Sequence, residues 1–219
     1  MSYSPTHWVD WHRAYDEEGS TLQRRLGVVE AELRAALDAM PPGPISLLSL
    51  CSGDGRDVLD VLAAHERAAD VRALLVDLDE TLLGAGARRA ERLGLGGVAV
   101  LRADAGVPAP YRAVLPVDVL VFCGILGNVS DEDASRSVAA FSSMLRERGH
   151  VLWTRHRRAP DLTVRIRRWL AASGFEERSF VPIEGTLAAV GHHVLAAPAD
   201  SRPPEVLFRF EGDGTGATW

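Results

Sequence analysis

The stretch Ser46-Leu47-Leu48-Ser49-Leu50-Cys51-Ser52-Gly53-Asp54-Gly55-Arg56-Asp57 decides the fold of this chain. Its apolar first half predicts a buried strand, and the small residues around Gly53 and Gly55 predict a tight turn. From Val58 onwards the apolar positions recur at helical spacing. Glycine lets a backbone approach a ligand closely, and a helix that follows offers unpaired amides to it. The stretch therefore predicts a strand, a glycine turn and a helix that together bind a ligand.

An acidic residue ends the next predicted strand. That strand runs through Leu74 to Val76 and stops at Asp77, which lies 22 residues after Gly55 (77 − 55). In a βαβ unit an acid at this distance lies beside the first turn, where it can accept hydrogen bonds from ribose hydroxyls. The two strand ends together predict a nucleoside site.

These residues resemble the first motif of the class I S-adenosylmethionine-dependent methyltransferases, which usually reads acid-x-Gly-x-Gly-x-Gly. The motif aligns with Ser49-Leu50-Cys51-Ser52-Gly53-Asp54-Gly55. Ser49 stands where an acid is common, and Cys51 stands where the first glycine is common. Both departures fall where the amino-acid end of the cofactor would be held.

The resemblance extends from about Leu22 to Ala197 and implies an α/β, Rossmann-like class I methyltransferase fold. This fold has a mostly parallel seven-stranded sheet with a C-terminal antiparallel hairpin and an N-terminal helical lid. We expect one methyltransferase domain over residues 1–219. Its parts are an N-terminal helical cap at 1–44, a Rossmann-like core at 45–197 and a C-terminal extension at 198–219.

Composition narrows the possible chemistry. The chain has 219 residues, 47% of them apolar, which is enough for one sizeable core. All 24 basic residues are arginine, so the sequence excludes a lysine Schiff base, a Gly-Lys-Ser/Thr phosphate loop and a Tyr-x-x-x-Lys hydride-transfer dyad. The formal charge of −6 argues against general affinity for nucleic acid.

The sequence also indicates where the protein works and with what partners. It shows no signal-peptide pattern and no apolar run long enough to cross a bilayer, so we expect a cytoplasmic protein without a membrane partner. Cys51 and Cys123 fall at predicted strand ends and are expected to be small buried residues, with no metal site. The expected partner is a small-molecule substrate, and the expected state is a monomer or homodimer.

Periodicity predicts several further features of the chain. An amphipathic helix is expected from Thr21 to Met40, and the helix after the fourth strand is expected to end at Gly149. His192 and His193 alternate on a predicted strand, so one is expected to face the core and the other solvent. A short strand is expected at Val206 to Phe210.

The resemblance implies a set of cofactor-binding residues at the strand ends. Asp104, just past the third strand, matches the family acid that accepts a hydrogen bond from the adenine amino group. Tyr15, on the predicted lid, is the candidate to contact the methionine end; it could equally only pack the lid on the core. The residues expected to bind S-adenosylmethionine are Tyr15, Cys51, Ser52, Gly53, Asp54, Gly55, Asp57, Asp77, Leu78, Asp104, Ala105, Cys123, Gly124 and Asn128.

Methyl transfer from a sulfonium is an in-line displacement, so positioning and water exclusion matter more than acid or base groups. A hydroxyl or amine acceptor is helped by a base, and His156, past the fifth strand, is the first candidate, with His12 on the lid as the second. Arg155 is expected to bind a carboxylate or phosphate of the substrate. Trp11 is expected either to contact substrate or to pack the lid on the core.

Two other functions stay open from the sequence alone. The run Gly53-Asp54-Gly55-Arg56-Asp57-Val58 satisfies the first two glycines of Gly-x-Gly-x-x-Gly, as in a nicotinamide-dependent oxidoreductase, although Val58 replaces the third glycine. The departures at Ser49 and Cys51 also permit a non-catalytic binding module that retains the methyltransferase fold. Retention of Gly53, Gly55, Asp77 and Asp104 together favours the methyltransferase.

Overall fold

The computed structural model describes Tyr15, Glu17, residues 19–197 and residues 202–210. The helices are α1 (Thr21–Ala39), α2 (Arg56–Ala64), α3 (Glu80–Arg92), α4 (Asp131–Met144) and α5 (Thr163–Ala172). The strands are β1 (Ile45–Leu50), β2 (Val71–Asp77), β3 (Val98–Arg102), β4 (Val117–Phe122), β5 (Leu145–His156), β6 (Phe175–Pro182) and β7 (Ala188–Leu195). Short 3₁₀ turns precede β2 and β4, at Ala68–Asp70 and Ala109–Val114.

The strands form one sheet in the order β3-β2-β1-β4-β5-β7-β6. Neighbours from β3 to β5 pair in parallel, whereas β7 is antiparallel to both β5 and β6. This confirms the predicted Rossmann-like sheet with its antiparallel hairpin. The strand order reverses between β1 and β4, and ligands of open α/β sheets bind beyond the carboxyl ends of the strands at such a reversal.

The central strands are buried on both faces of the sheet. Val119, Leu120 and Val121 in β4 are each at most 1% exposed, because successive side chains alternate between two helix-covered faces. This explains the uninterrupted apolar run that predicted the strand. No helix among the described residues is long and apolar enough to cross a membrane.

Side chains that cap the helices fix where each one starts. Ser20 accepts a hydrogen bond from the Gln23 amide at the start of α1. Ser130 accepts one from the Asp133 amide at the start of α4. Asp79 accepts from the amides of Thr81 and Leu82 at the start of α3. Asp79 lies two residues beyond β2, so the helix α3 begins directly at the carboxyl end of that strand.

The predicted end of the fourth helix at Gly149 is wrong. The helix ends at Met144, and the chain enters β5 directly at Leu145. Arg148 has a φ of 63°, and the β4–β5 register shifts between Val117 and Val119, so β5 is irregular near its start. Gly149 belongs to this irregular part, where a Cβ would come within 2.8 Å of the Arg146 carbonyl oxygen.

The expectation that His192 and His193 face opposite environments is also wrong, because β7 lies between β5 and β6 and is covered on both faces. The two side chains are 3% and 1% exposed. His192 Nδ1 lies 2.8 Å from Glu32 Oε2 of α1, and its Nε2 lies 2.7 Å from His150 Nδ1 of β5. Glu32, His192 and His150, which we call the Glu-His-His chain, therefore link α1 to two strands.

The described tail segment, residues 202–210, does not form the strand expected there. It makes a single bridge between Phe210 and Val129. The Leu207 amide donates to the Gly106 carbonyl at 2.7 Å, and the Leu207 carbonyl accepts from Ser137 Oγ at 3.1 Å. Leu207 is fully buried. The tail therefore contacts the loop after β3, α4 and the loop before α4.

Candidate functional site

The turn between β1 and α2 has three residues in the left-handed region of φ. These are Cys51, Gly53 and Gly55, with φ values of 54°, 56° and 68°. A Cβ at Gly55 would lie 2.5 Å from Leu75 Cδ1, so glycine is required there by packing as well as by conformation. Cys51 adopts the same left-handed conformation although it has a side chain, which costs on the order of 1 kcal/mol of backbone strain.

Asp77 connects this turn to the end of β2. Its Oδ2 accepts a hydrogen bond from the Gly53 amide at 2.8 Å, and its Oδ1 accepts from the Asp79 amide at 2.9 Å. The Ser52 amide donates to the Val76 carbonyl at 3.1 Å, which extends the β1–β2 pairing into the turn. The carboxylate is thus held between two strand ends, where the sequence predicted it.

Asp104 lies beyond the end of β3, the next strand along the sheet. Its Oδ1 accepts from the Gly106 amide at 2.8 Å, and the side chain is exposed. The following residue, Ala105, is buried, and its carbonyl accepts from the Tyr111 hydroxyl at 2.7 Å. A Cβ at Gly106 would lie 2.3 Å from the Phe208 carbonyl oxygen, so the tail packs directly against this loop.

Cys51 and Ser52 lie within the crevice that these acids border. Burial, together with the charges of Asp77 and Asp104, raises the pKa of the Cys51 thiol well above its usual value. The Ser52 hydroxyl oxygen is buried and has no hydrogen-bond partner among the described residues. A buried polar atom of this kind fits a site that holds a polar ligand. Leu78, which directly follows Asp77, is a large apolar side chain that is 40% exposed.

The end of β4 presents an open surface beside this crevice. The Gly124 amide donates to Thr154 Oγ1 at 2.8 Å, and its carbonyl accepts from Asn128 Nδ2 at 2.7 Å. Gly124 has a φ of 77°, and a Cβ built on it would meet nothing within 4 Å. Burial raises the pKa of Cys123 to about 12, so its thiol stays protonated at neutral pH. A second molecule could approach the crevice here without displacing a side chain.

A group of charged and aromatic side chains lies between the ends of β1 and β4. Arg25 of α1 is 4% exposed, and its Nη2 donates to the Tyr15 hydroxyl at 2.5 Å. The guanidinium carbon of Arg56 lies 4.9 Å from the centre of the Tyr15 ring. Arg56 in turn donates to Asp54, with Nη2 and Oδ2 2.7 Å apart. Tyr15 therefore links α1 to the segment that follows the glycine turn.

Asp57 is the carboxylate at the centre of that group. Burial raises its pKa to about 6; the Val58 amide and Arg25 oppose this shift, while Asp54 adds to it. The Val58 amide donates to Asp57 Oδ1 at 2.9 Å. Burial raises the pKa of Tyr15 and of Cys123, and the charge of Asp57 adds to both shifts.

Arg155 and His156, expected past the fifth strand, are instead the last two residues of β5, because the strand extends beyond its apolar run. His156 is half-buried; its Nδ1 accepts from the Arg158 amide at 3.3 Å, and burial with the charges of Arg155 and Arg158 lowers its pKa. Arg155 is 7% exposed and donates to the Leu126 carbonyl of the loop after β4. A neutral His156 at pH 7 is able to accept a proton.

Two of the predicted site residues, Trp11 and His12, lie outside the described residues. Within the described ranges, no group of three or more His, Cys, Asp or Glu side chains could hold a metal ion.

Sequence reasoning missed Arg25, Thr154 and Gly86 as parts of the site. A Cβ at Gly86 of α3 would lie 2.8 Å from the Asp54 carbonyl oxygen, so this glycine lets α3 pack against the glycine turn. The signal for Arg25 was its place between Leu22 and Val29 on the buried stripe of α1, where a charge is unusual. Thr154 gave no separate signal, because it continues an apolar strand.

Comparison with known proteins gives a family and a fold. A family described as "Putative methyltransferase" matches residues 20–174. No curated protein sequence matches the chain.

Solved structures share the fold at low sequence identity. Magnesium protoporphyrin IX methyltransferase from Synechocystis PCC 6803, solved with bound S-adenosylmethionine, is similar at a TM-score of 0.67 and 14% identity, covering 87% of this chain and 91% of that one. An O-methyltransferase family protein from Burkholderia thailandensis is similar at a TM-score of 0.63 and 15% identity, and the match covers 80% of this chain and 56% of that one. The [4+2]-cyclase SpnF is similar at a TM-score of 0.62 and 15% identity, and the match covers 82% of this chain and 85% of that one.

Proposed function

Because the chain belongs to this family of putative methyltransferases, we propose that it transfers a methyl group from S-adenosylmethionine to a small-molecule acceptor. The observation that carries the proposal is the bond of 2.8 Å between the Gly53 amide and Asp77 Oδ2, with Asp104 beyond the adjacent strand. It aligns donors and acceptors across the carboxyl ends of β1, β2 and β3, where an adenosine group would lie.

In this proposal each part of the crevice has a binding role. Asp77 accepts hydrogen bonds from the ribose hydroxyls, since each carboxylate oxygen can accept more than one hydrogen bond. Asp104 accepts from the adenine amino group, and the exposed side chain of Leu78 covers the base. Ser52 supplies its buried hydroxyl to the cofactor, which accounts for the orphaned oxygen.

S-Adenosylmethionine supplies a methyl group on a sulfonium, which an acceptor attacks along the S–CH₃ axis. The protein's part is to hold the acceptor in line and to exclude water. The open side of Gly124 gives the acceptor room, and the amide of Asn128 is fixed there by its bond to the Gly124 carbonyl. His156 is the candidate to take a proton from a hydroxyl or amine acceptor, with His12 as the second candidate.

The acceptor side is the finer part of the proposal. Arg155 and Trp11 are proposed to contact the acceptor, and an anionic group on it would suit the arginines past β5. A net charge of −6 supports a small acceptor rather than a nucleic acid. Cytoplasmic location, a role in specialised metabolism and a monomeric or homodimeric state stay predictions.

Replacement of Asp77 tests the cofactor site. Asp77→Ala is expected to weaken S-adenosylhomocysteine binding by roughly 10- to 100-fold, because hydrogen bonds to a charged group are lost. Isothermal titration calorimetry measures the affinity, and circular dichroism checks the fold. Asp70→Ala, at the opposite end of β2, is the matched control and should bind as the natural chain does. Unchanged affinity in folded Asp77→Ala would place the nucleoside elsewhere.

Consumption of the cofactor tests the reaction itself. With labelled S-adenosylmethionine and a panel of small phenols, amines and carboxylates, we expect label in one acceptor class and equimolar S-adenosylhomocysteine. If the protein quenches NADH fluorescence and does not bind S-adenosylmethionine, the result would instead favour a nicotinamide-dependent oxidoreductase. Cofactor binding without turnover across the panel would favour a non-methylating role, since the cyclase SpnF has the same fold.

A further inference from the structure

The two edge strands of the sheet differ in how well they are protected from pairing with another chain. In the described part of the chain the sheet ends at β6 on one side and at β3 on the other. Strand β6 carries the charged run Glu176-Glu177-Arg178, a register shift against β7 and Pro182 at its end. Charges, irregular pairing and proline are common protections of an edge strand. Strand β3, Val98-Ala99-Val100-Leu101-Arg102, pairs regularly with β2 and is apolar up to Arg102.

The outer backbone groups of β3 point away from the sheet. The Ala73 amide of β2 donates to the Gly97 carbonyl at 3.0 Å, and the direction of bonding then alternates along the parallel pair. This alternation directs the amides and carbonyls of Val98, Val100 and Arg102 away from β2. These are the groups that a further strand would need in order to pair with β3.

A groove of about 430 Å³ lies between this edge and α3. It is lined mainly by small and apolar side chains and by one acid, namely Ala87, Ala90, Glu91, Gly94, Leu95, Gly96, Val98 and Val100. Because side chains alternate along a strand, Val98, Val100 and Arg102 share the face of β3 that carries α3. The Arg102 side chain agrees with this, since its Nη1 lies 2.9 Å from Oε2 of Glu80 at the start of α3. Val100 is 38% exposed in the groove.

The two ends of this surface carry opposite charges. Glu91 is exposed and forms no ion pair with the described residues, and it lies in the last turn of α3, where the helix dipole disfavours a carboxylate. Arg102 is 64% exposed and pairs with Glu80, which is 79% exposed, and so exposed an ion pair is readily exchanged for another. A surface with an acid at one end, a base at the other and an apolar centre is complementary to its own copy about a two-fold axis.

We propose that β3 pairs antiparallel with β3 of a second copy of this chain, about a two-fold axis at Val100. The two Val100 residues then exchange backbone hydrogen bonds, and each Arg102 amide donates to the carbonyl of Val98 of the partner subunit. Arg102 of the partner subunit thereby lies beside Val98 and reaches Glu91 in the groove, and the same contact repeats across the axis. The sheet then continues through both subunits, and the open edge of β3 is closed.

Sedimentation velocity of the full chain from about 1 to about 200 µM tests the pairing. The natural chain is expected to form a dimer whose fraction rises with concentration. Val100→Pro removes an amide that points out of the sheet, a position where edge strands accept proline, so it should keep the fold by circular dichroism and weaken the dimer at least about 10-fold. A natural chain that stays monomeric would overturn the proposal and leave this edge to a different protein. A Val100→Pro dimer as strong as the natural one would overturn the strand pairing.

Reversal of the two charges tests the register. Glu91→Arg and Arg102→Glu should each weaken the dimer at least about 10-fold, because each sets like charges opposite one another, and the double variant should return to within about 3-fold of the natural chain. Arg92→Glu, an exposed position on α3 that does not line the groove, is the matched control and should dimerise normally. A double variant as weak as the single ones would overturn the contact. These variants lie outside the cofactor crevice, so failure of the proposed function would not change their result.

Discussion

Asp77 and Asp57 are carboxylates at the same crevice, but the protein compensates their charges to different degrees. Both oxygens of Asp77 accept backbone amides, at 2.8 and 2.9 Å. Asp57 accepts from the Val58 amide at 2.9 Å, and burial outweighs that bond and the nearby Arg25. A buried carboxylate that is left undercompensated reduces stability and is typical of binding sites.

Asp57→Asn is therefore expected to stabilise the ligand-free protein. The folded pKa of about 6 lies above the ordinary value of 3.8, so this carboxyl contributes stability below pH 3.8 that is lost as the pH rises through 6. At about pH 7.5 the variant should gain about 1 to 2 kcal/mol in the free energy of unfolding, and at about pH 4.5 the gain should fall to about a third of that.

Urea unfolding at the two pH values measures this change. Asp60→Asn, which removes an exposed acid from the same helix, should lack the pH-dependent gain. A variant less stable than the natural chain at about pH 7.5 would show that the Asp57 charge supports the fold.

Helix α3 shapes the glycine turn without contributing a polar side chain to it. Asp79 caps the helix directly after β2. Gly86 packs against the Asp54 backbone, which leaves no room for a side chain at this position. The helix also connects to α2 through the ion pair of Arg89 with Asp60. The position of the turn therefore depends on how closely α3 approaches it.

Gly86→Ala is expected to displace the turn and weaken S-adenosylhomocysteine binding by roughly 3- to 30-fold, because its Cβ would lie 2.8 Å from a backbone oxygen that cannot move freely. Gly84→Ala, two residues earlier in α3, meets only the end of the Arg88 side chain at 3.3 Å. It should keep the affinity and gain about 0.5 to 1 kcal/mol of stability. Equal effects of the two variants in calorimetry would refute the contact.

The β5–β7 pair depends on another missing side chain. A Cβ at Gly191 would lie 2.2 Å from the ring of Trp153, which is fully buried. Gly191→Ala should lower the free energy of unfolding by about 3 kcal/mol through overpacking, measured by urea titration. Gly27→Ala on α1, where a Cβ meets nothing within 4 Å, should be neutral or stabilising. Loss of stability in Gly27→Ala instead would argue that helix α1, not the Trp153 contact, limits stability.

The sheet and the placement of Gly53, Asp77 and Asp104 at neighbouring strand ends could be predicted from the sequence because their signals are local. A strand ending in Gly53 and Gly55, and an acid after each of the next two strands, need only the chain order of the elements to come together. Asp77 and Asp104 accordingly lie at adjacent strand ends in the structure.

Features that depend on distant parts of the chain could not be predicted in this way. In the sequence, Arg25 is only a polar residue on an amphipathic helix. Its interactions with Tyr15 and Asp57 depend on segments that the fold brings to it. Gly149 is typical of a helix end but lies in an irregular part of β5, where the pairing register with β4 shifts. Both histidines of β7 are buried because the sheet is covered on both faces there, which alternation along one strand does not reveal.

Buried histidines should make the whole molecule sensitive to mild acid. Burial lowers the pKa of His150 and of His193 to about 4, and it also lowers that of His192. With Glu32 ionised, His192 Nδ1 donates to it and His192 Nε2 accepts from His150 Nδ1, so the neutral rings satisfy one another.

The free energy of unfolding should therefore fall as the pH drops from about 6.5 towards 4. Each folded pKa lies below the ordinary value of 6.5, so the stability is present above pH 6.5 and is lost as the unfolded chain takes up protons. For His150 the loss at about pH 5 is about 2 kcal/mol. Urea titrations from pH 7 to 5 measure it, and His150→Gln should flatten the slope; an unchanged slope would exclude the Glu-His-His chain as its source.

The tail fastened at Gly106 and at Val129 bears on how the entrance to the crevice could change in evolution. One short run of chain spans the loops that follow β3 and β4, with Leu207 sunk between them. Both loops are therefore held by the same run of residues. Insertions or deletions near residues 202–210 are expected to shift the two loops together, whereas substitutions in either loop would act on that loop alone.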